Sequence, residues 1–432
     1  MVEDPTAYRV DGEIGRITFS CHQVTREGSV VLDTSREVFP ALIGKEWYRT
    51  VGFKELTIVH GLLSDSYRQT MQMLNRIRHQ PGATPLRTLQ DSVEADGLAA
   101  AEALEQEARR TLRDGGLDDK TLLPVEARPT CEVQHLDPTR VDAVLREVAP
   151  DEQTLKAMQA NPVGYEDLSV TVNVSIDDVL AKKQKEHRDR KGCAAANPPD
   201  SQASTERSAE EQKKRVHATV AHVEVGTERR VFASAGLMET CLLVMAFLVV
   251  NKKLPSNWIF FVDGQRNLQD FLLHAFSWQG TLQIILDWYH VVKKCKEMLS
   301  LALNSRHVRN EVLKPLLRLL WYGNLDAAIA HLRQIDPNHV KAPDAVDRLV
   351  AYLERNRQYI PCYAARKKLG LRNSSNRGEK ANDLVVSARQ KHNGMSWSQG
   401  GSSALATLSA LVANDNHHQW FEERTVDFRL AA

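Results

Sequence analysis

The sequence predicts an α/β protein with a mixed five-stranded sheet flanked by helices, together with an all-α insertion and an N-terminal helical region. From residue 168 onward, short runs rich in β-branched and aromatic residues alternate with apolar helical stretches, in the order strand, strand, strand, helix, strand, helix, strand. A leucine-rich amphipathic stretch follows, from about residue 291 to 360, and predicts the helical insertion.

The composition is that of an ordinary globular protein, with 432 residues, 42% hydrophobic and 26% charged. The net charge is only +1, so nucleic-acid binding would depend on local basic patches. The N-terminus is polar, and the most apolar run, Leu242–Val250, is too short to cross a bilayer. We therefore expect a cytoplasmic protein with no membrane partner.

The N-terminal third begins with about 60 residues of short strand-like pieces, to which no chemistry can be assigned. A helix is then predicted from about Ser66 to His79, and Gln80-Pro81-Gly82 should break it. Thr84 can cap a second helix with Pro85 at its first position, and a charged amphipathic helix should run from about Leu98 to Asp114. Helix, turn, helix is the shape of a DNA reader, although an ordinary helical hairpin has the same pattern. The arginines suited to phosphate contacts are Arg68, Arg76, Arg78 and Arg87.

The strand pattern follows a polar, proline-containing linker. SVTVNVSID predicts the first strand, and a long polar stretch from about 187 to 215 predicts a mobile loop. RVHATVAHVEV and RRVFAS predict two paired strands, and LMETCLLVMAFLVVN a buried helix. NWIFFVD and TLQIILD predict the last two strands, separated by the helix LQDFLLHAF. This order is expected of an RNase H-like core, whose carboxylates lie on the first strand, on the strand after the first helix and on a late helix.

Three carboxylates occupy these positions. Asp177 and Asp263 each end a strand-like run, and Glu379 follows Asp263 by 379 − 263 = 116 residues in a helix-compatible stretch. Paired Mg²⁺ ions prefer such oxygen ligands. Asp178 is an alternative to Asp177, although the alternation of the strand favours Asp177. Asp263 is equally compatible with a turn that caps the next helix.

Further polar residues surround these positions. Asp287 and His290 lie at a strand-to-helix junction, where Asp287 could cap the helix or the pair could orient metal ligands through hydrogen bonds. The region around Glu379 is basic, which suits phosphate neutralisation, although a salt bridge or simple solubility would also explain it. The basic residues there are Arg366, Lys367, Lys368, Arg372, Arg377, Lys380, Arg389 and Lys391.

The segments SIDDVLAKKQKEHR, VDGQRN, LDWYHVVKKC, YLERN, GLRNSSNRGEKAND and RQKHNGMSWS resemble bacterial insertion-sequence transposases of the ISKra type, and the ISLre type is similar. The resemblance covers about residues 66–97 and 168–425. It implies that Asp177, Asp263 and Glu379 are Asp-Asp-Glu catalytic residues that bind two Mg²⁺ ions, for which Mn²⁺ can substitute. It also implies that Asp287-x-x-His290 is the Asp/Cys-x-x-His signature of such enzymes, and that residues 66–97 form their helix-turn-helix.

The resemblance implies a DNA transposase that binds the terminal inverted repeats of its element, cleaves DNA and transfers the freed 3′-OH to target DNA. Its partners would be double-stranded DNA and further copies of itself, as a homodimer or larger assembly near the nucleoid. The alternatives are a domesticated, non-catalytic DNA-binding regulator and a metal-dependent nuclease without strand transfer. The expected divisions are an N-terminal region of unknown role (1–60), the helix-turn-helix region (61–115), a linker (116–167), the first part of the core (168–290), the helical insertion (291–360) and the last part of the core (361–432).

Overall fold

The computed structural model of the chain describes residues 6–13, 15–21, 23–27, 29–33, 47–79, 84–128, 131–184, 215–391 and 395–430. The strands in these segments are β1 (Thr6–Gly12), β2 (Gly15–Cys21), β3 (Gln23–Arg26), β4 (Ser29–Asp33), β5 (Trp47–Arg49), β6 (Thr171–Lys182), β7 (Arg215–Val225), β8 (Glu228–Ser234), β9 (Asn257–Val262) and β10 (Leu282–Leu286). The α-helices are α1 (Val51–Leu63), α2 (Tyr67–Ile77), α3 (Leu86–Asp114), α4 (Pro138–Val148), α5 (Glu152–Gln159), α6 (Leu237–Val250), α7 (Arg266–Ala275), α8 (Trp288–Ala302), α9 (Arg306–Trp321), α10 (Leu325–Arg333), α11 (Pro343–Arg355), α12 (Tyr363–Lys368), α13 (Asn376–Asn382), α14 (Ala388–Gln390), α15 (Gln399–Ala413) and α16 (His417–Glu423).

The centre of the fold is a mixed five-stranded sheet with the strand order β10-β9-β6-β7-β8. β6, β7 and β8 pair in antiparallel fashion, whereas β9 is parallel to both β6 and β10. The sequence predicted these five strands and the helices α6, α7 and α8 that follow β8, β9 and β10. Because β6, β9 and β10 are parallel, their C-terminal ends lie at one edge of the sheet, where α/β folds place ligands.

Strand β6 has a different character on each face. Val172, Val174 and Ile176 are buried in the main hydrophobic core together with most of α6. The residues between them, Ser175 and Asp177, are only half-buried and belong to the opposite face. This alternation is the one predicted from the sequence, and it directs Asp177 away from the apolar core.

Helix α3 is part of the main core. Its buried face includes Leu89, Ala100 and Leu112, and it packs against α6 and α15. Each fully buried leucine contributes about 1.5–3 kcal/mol to stability. Where α3 meets α15, a Cβ on Gly97 would lie 2.5 Å from the carbonyl oxygen of Ala404, so only glycine permits this approach.

The N-terminal helices differ from the predicted pair. The first is α2, which Ser66 caps by accepting a hydrogen bond from the Gln69 N–H. The two helices predicted from Thr84 and from Leu98 are instead one continuous helix, α3. No strong helix breaker separates them, since Gly97 is accommodated by its contact with α15. The predicted break at residues 80–82 lies outside the described residues.

The remaining segments complete the fold around the sheet. The predicted helical stretch 291–360 contains the greater part of α8 and all of α9, α10 and α11. The expected linker, 116–167, contains α4 and α5, and the mobile loop expected at 187–215 lies outside the described residues apart from Arg215. In the part of the chain that the structure describes, every helix is either too short or too polar to cross a membrane.

Candidate functional site

Three aspartates are level with one another at the C-terminal edge of the sheet. The pairing of β6 with β9 keeps a constant offset of 257 − 171 = 86 positions, which sets Asp177 level with Asp263. The pairing of β9 with β10 keeps an offset of 282 − 258 = 24 positions, which sets Asp263 level with Asp287. The strand register thus brings together three carboxylates that are far apart in the sequence.

Glu379 reaches the same edge from helix α13. Gly378 allows the helix to lie close to β6, because a Cβ there would stand 2.9 Å from the Ser175 Cβ. Asn382, almost one turn after Glu379, donates a hydrogen bond of 2.9 Å from Nδ2 to Oδ2 of Asp177. Helix α13 is therefore fixed across the end of β6, with Glu379 on the side of the strand ends.

Asp287 and His290 connect helix α8 to helix α13. Asp287 is fully buried and caps α8 by accepting a hydrogen bond of 2.7 Å from the Tyr289 N–H. It also accepts hydrogen bonds from the Ser375 N–H, at 2.6 Å, and from the Ser375 hydroxyl. His290 Nε2 lies 3.2 Å from Glu379 Oε1, and its Nδ1 lies 3.6 Å from Asp287 Oδ2. These contacts fix both the start of α13 and the carboxylate that it carries.

The structure separates the alternatives that the sequence left open. Asp178 is exposed on the other side of β6 and accepts a hydrogen bond of 2.5 Å from the Thr219 hydroxyl, whereas Asp177 lines the cavity described below. Asp263 combines both expected roles in its position: it lines the cavity, and it also accepts hydrogen bonds of 2.8 Å from the N–H and the Nε2 of Gln265 in the turn before α7.

The charges at this edge influence one another. Burial and the negative charge of Glu379 raise the pKa of Asp177 to about 6, with a further contribution from Asp263. Burial alone would lower the pKa of His290, but hydrogen bonds to Asp287 and Glu379 raise it to about 10. Burial would raise the pKa of Asp287, yet hydrogen bonds from His290 and Ser375 hold it below its usual value. At neutral pH, one imidazolium therefore faces several carboxylates, and the site has an excess of negative charge.

Asp177, Asp263, His290 and Glu379 line one small cavity. The donor set suits hard divalent cations, because it offers carboxylate oxygens and an excess negative charge that a cation would neutralise. Within the described ranges, these carboxylates are not among the groups whose three ligand atoms all lie within 4.8 Å of one another. That spread agrees better with two ions, which stand about 3.5–4 Å apart, than with one ion bound by all three groups.

Three residues of the site had not been singled out from the sequence. Ser375 holds Asp287, Gly378 permits the close approach to β6, and Asn382 holds Asp177. Asn382 could have been found, because a residue three positions after Glu379 lies on the same face of a helix. Ser375 and Gly378 depend on contacts with strands some 90 and 200 residues away, for which the local sequence gives no signal.

The predicted DNA-binding residues divide into an accessible and a buried group. Arg372 is half-buried, and it pairs with the buried Glu224 at 3.1 Å, as Arg377 does at 2.6 Å. Both arginines and Lys367 line a second cavity that adjoins the first at Ser175. The exposed members of the predicted set are Arg68, Arg76, Arg87, Lys367, Lys368, Arg377, Lys380 and Lys391.

Three of the predicted phosphate contacts do not agree with the structure. Arg78 is fully buried and paired with Asp11 at 2.9 Å. Arg366 is fully buried and donates two hydrogen bonds, of 2.7 and 2.6 Å, to Glu166. The Arg389 guanidinium is buried over the ring of Tyr67, 4.5 Å from its centroid. These guanidinium groups hold the fold together and do not face solvent, where DNA would bind.

Comparisons with known proteins add little to this geometry. No protein-family model matches the chain, and no curated protein matches it. Among solved structures, the chain is similar to one described as the Drosophila P element transposase strand transfer complex, with 11% identity and a TM-score of 0.34. The alignment covers 89% of this chain and 98% of that chain. A TM-score this low carries no argument about this chain.

Proposed function

We propose that the chain is a DNA transposase whose catalytic core is RNase H-like and whose reaction is metal-dependent phosphoryl transfer. The observation that carries the proposal is that Asp177, Asp263 and Glu379 line one cavity, from two adjacent parallel strands and a late helix. The sheet supports the core assignment, because three antiparallel strands are followed by two parallel strands in the order 5-4-1-2-3.

In this proposal, Asp177, Asp263 and Glu379 hold two Mg²⁺ or Mn²⁺ ions. Such ions would supply Lewis-acid activation of the attacking oxygen and stabilisation of the leaving oxygen. The protein's own contribution is to fix the ligands in place. Asn382 orients the Asp177 carboxylate, and Asp287 and His290 hold helix α13 and the Glu379 carboxylate through the contacts described above.

The proposed DNA path runs along the basic residues beside the cavity. Lys367, Arg372 and Arg377 line the adjoining cavity, so phosphates held there would continue toward the carboxylates. The exposed arginines of α2 and of the outer face of α3 form a second accessible basic group, which we assign to the element ends. The partners would be double-stranded DNA and other copies of the chain, in the bacterial cytoplasm near the nucleoid. A nuclease without strand transfer and a non-catalytic regulator are the alternatives.

The test is cleavage and joining of a duplex that carries the inverted repeats bracketing the gene, with purified protein and Mg²⁺ or Mn²⁺. We expect nicked and strand-transfer products that disappear with EDTA and with Asp263→Asn. Asp178→Asn is the matched control, because this neighbouring aspartate lies on the other side of β6. Activity that survives Asp263→Asn would refute the proposal. Cleavage without joined product would favour the nuclease, and specific end binding without cleavage would favour the regulator.

A further inference from the structure

A second group of metal-ligating side chains lies outside the carboxylate cavity. Glu55 belongs to helix α1, and His417 and His418 are the first two residues of helix α16, which packs against α1. Among the residues that the structure describes, this is the group of three His, Cys, Asp or Glu side chains whose ligand atoms all lie within 4.8 Å of one another.

Both imidazoles turn a ring nitrogen toward the same carboxylate oxygen. His418 Nδ1 lies 2.5 Å from Glu55 Oε1, and His417 Nε2 lies 3.7 Å from the same atom. Around a tetrahedral zinc ion, ligand atoms are about 3.3 Å apart, since the bonds to nitrogen and oxygen are about 2.0–2.2 Å long. The three ligand atoms therefore stand within about an ångström of the separations that such an ion requires.

The hydrogen bonding around these side chains is incomplete. Glu55 Oε1 and His417 Nδ1 are both buried, and neither has a hydrogen-bond partner, because the close contact of Glu55 with His418 lacks hydrogen-bond geometry. Buried polar atoms of this kind normally find a partner. A cation between the three side chains would satisfy the carboxylate oxygen, and Asp415, whose Oδ1 lies 3.9 Å from His417 Nδ1, could then orient that ring.

The state of the rings also suits a metal. The ring centroids of His417 and His418 are 4.1 Å apart, so two positive charges there would repel each other. Burial and the neighbouring His418 lower the pKa of His417, which favours the neutral imidazole that binds metal.

We propose that Glu55, His417 and His418 bind one divalent transition-metal ion of the Zn²⁺ class, with water in the fourth position. Two imidazoles and one carboxylate select such ions over Mg²⁺, which prefers oxygen ligands alone. The ion would fasten α16 to α1 and would have a structural role. This site is independent of the proposed transposase activity.

The experiment uses the full chain, freed of metal by a chelator and then titrated with Co²⁺, whose absorption bands report tetrahedral nitrogen and oxygen ligation, and with Zn²⁺ as competitor. We expect one Zn²⁺ equivalent, and a dissociation constant roughly a hundredfold higher in His418→Ala and in Glu55→Gln. His418 is 64% exposed, so His418→Ala should fold normally. His307→Ala, at an exposed histidine of α9, is the matched control.

Asp263→Asn distinguishes this site from the carboxylate cavity. Zn²⁺ should raise the melting temperature of the wild type and of Asp263→Asn, but not that of His418→Ala. The proposal is overturned if the metal-free chain binds no Zn²⁺, if binding is unchanged in both His418→Ala and Glu55→Gln, or if Asp263→Asn alone abolishes it.

Discussion

Replacing Glu379 with glutamine separates catalysis from stability. The substitution keeps the size of the side chain but removes the anionic ligand. Glu379 is 37% exposed, and its contact is with His290 Nε2 at 3.2 Å. Because solvent screens such a partly exposed pair, its loss should cost only about 0–1 kcal/mol of unfolding free energy. For a chain of this size, the melting temperature should fall by no more than about 2–4 °C.

The expected effect on activity is far larger. Metal-ion stabilisation of a transition state contributes several kcal/mol, and each 1.36 kcal/mol corresponds to a factor of ten in rate, so the loss of about 3–5 kcal/mol would slow cleavage by about 10²–10⁴-fold. The assay is the rate of Mg²⁺-dependent cleavage of the end-containing duplex at saturating protein, with end binding measured separately by gel shift.

A matched control removes the same charge from an ordinary surface pair. Glu354 is 42% exposed and lies 2.9 Å from Arg357 Nη2, so Glu354→Gln should have a similar small effect on stability and none on cleavage. Cleavage by Glu379→Gln within a few-fold of the wild type would show that Glu379 is not a metal ligand. Asp287 would then be the next candidate for the third carboxylate.

Two further predictions concern stability, measured by urea unfolding in EDTA. The pKa of Asp177 is raised to about 6 in the folded chain, against about 3.9 when unfolded, so the folded state binds more protons between these values and loses stability as pH rises through them. Asp177→Asn should therefore be more stable than the wild type at pH 8, on the order of 2 kcal/mol, and equally stable near pH 4. Arg366→Ala should lose about 3–5 kcal/mol, because it leaves the buried Glu166 carboxylate without its partner.

Each of these predictions has a result that contradicts it. For Asp177→Asn, a gain in stability that is the same at pH 4 and pH 8 would mean that ionisation is not its cause. For Arg366→Ala, the control is Lys368→Ala, since Lys368 and its partner Glu147 are 50% and 57% exposed and should contribute only about 0–1 kcal/mol. Equal losses in the two variants would show that the Arg366 pair is not a buried structural contact.

Much of the sheet could be predicted from the sequence because its signals are local. The alternation in β6 indicated both a strand and the side to which Asp177 turns, and the apolar run of α6 indicated a buried helix. Asp263 could be placed because a residue that ends a parallel strand has few positions open to it. These inferences depended only on periodicity and on the ends of elements.

The roles of the basic residues could not be predicted, because they depend on partners distant in the sequence. Arg366 is paired with Glu166, 366 − 166 = 200 residues earlier, and an arginine within a basic run looks the same whether it is buried or exposed. The same applies to Arg78, whose partner is Asp11. The link from Asp287 through Ser375 to helix α13 likewise required the three-dimensional structure.

The close contact between α3 and α15 has a consequence for the order in which the protein is made. Gly97 and Ala404 are 404 − 97 = 307 residues apart, so the side of α3 that faces α15 is covered only after nearly the whole chain has left the ribosome. At about 5–20 residues per second, that delay is about 15–60 s. During that time, apolar surface on α3 is open to incorrect contacts. Contacts of such long sequence separation slow folding, so yield in the cell should depend on chaperones that bind the nascent chain.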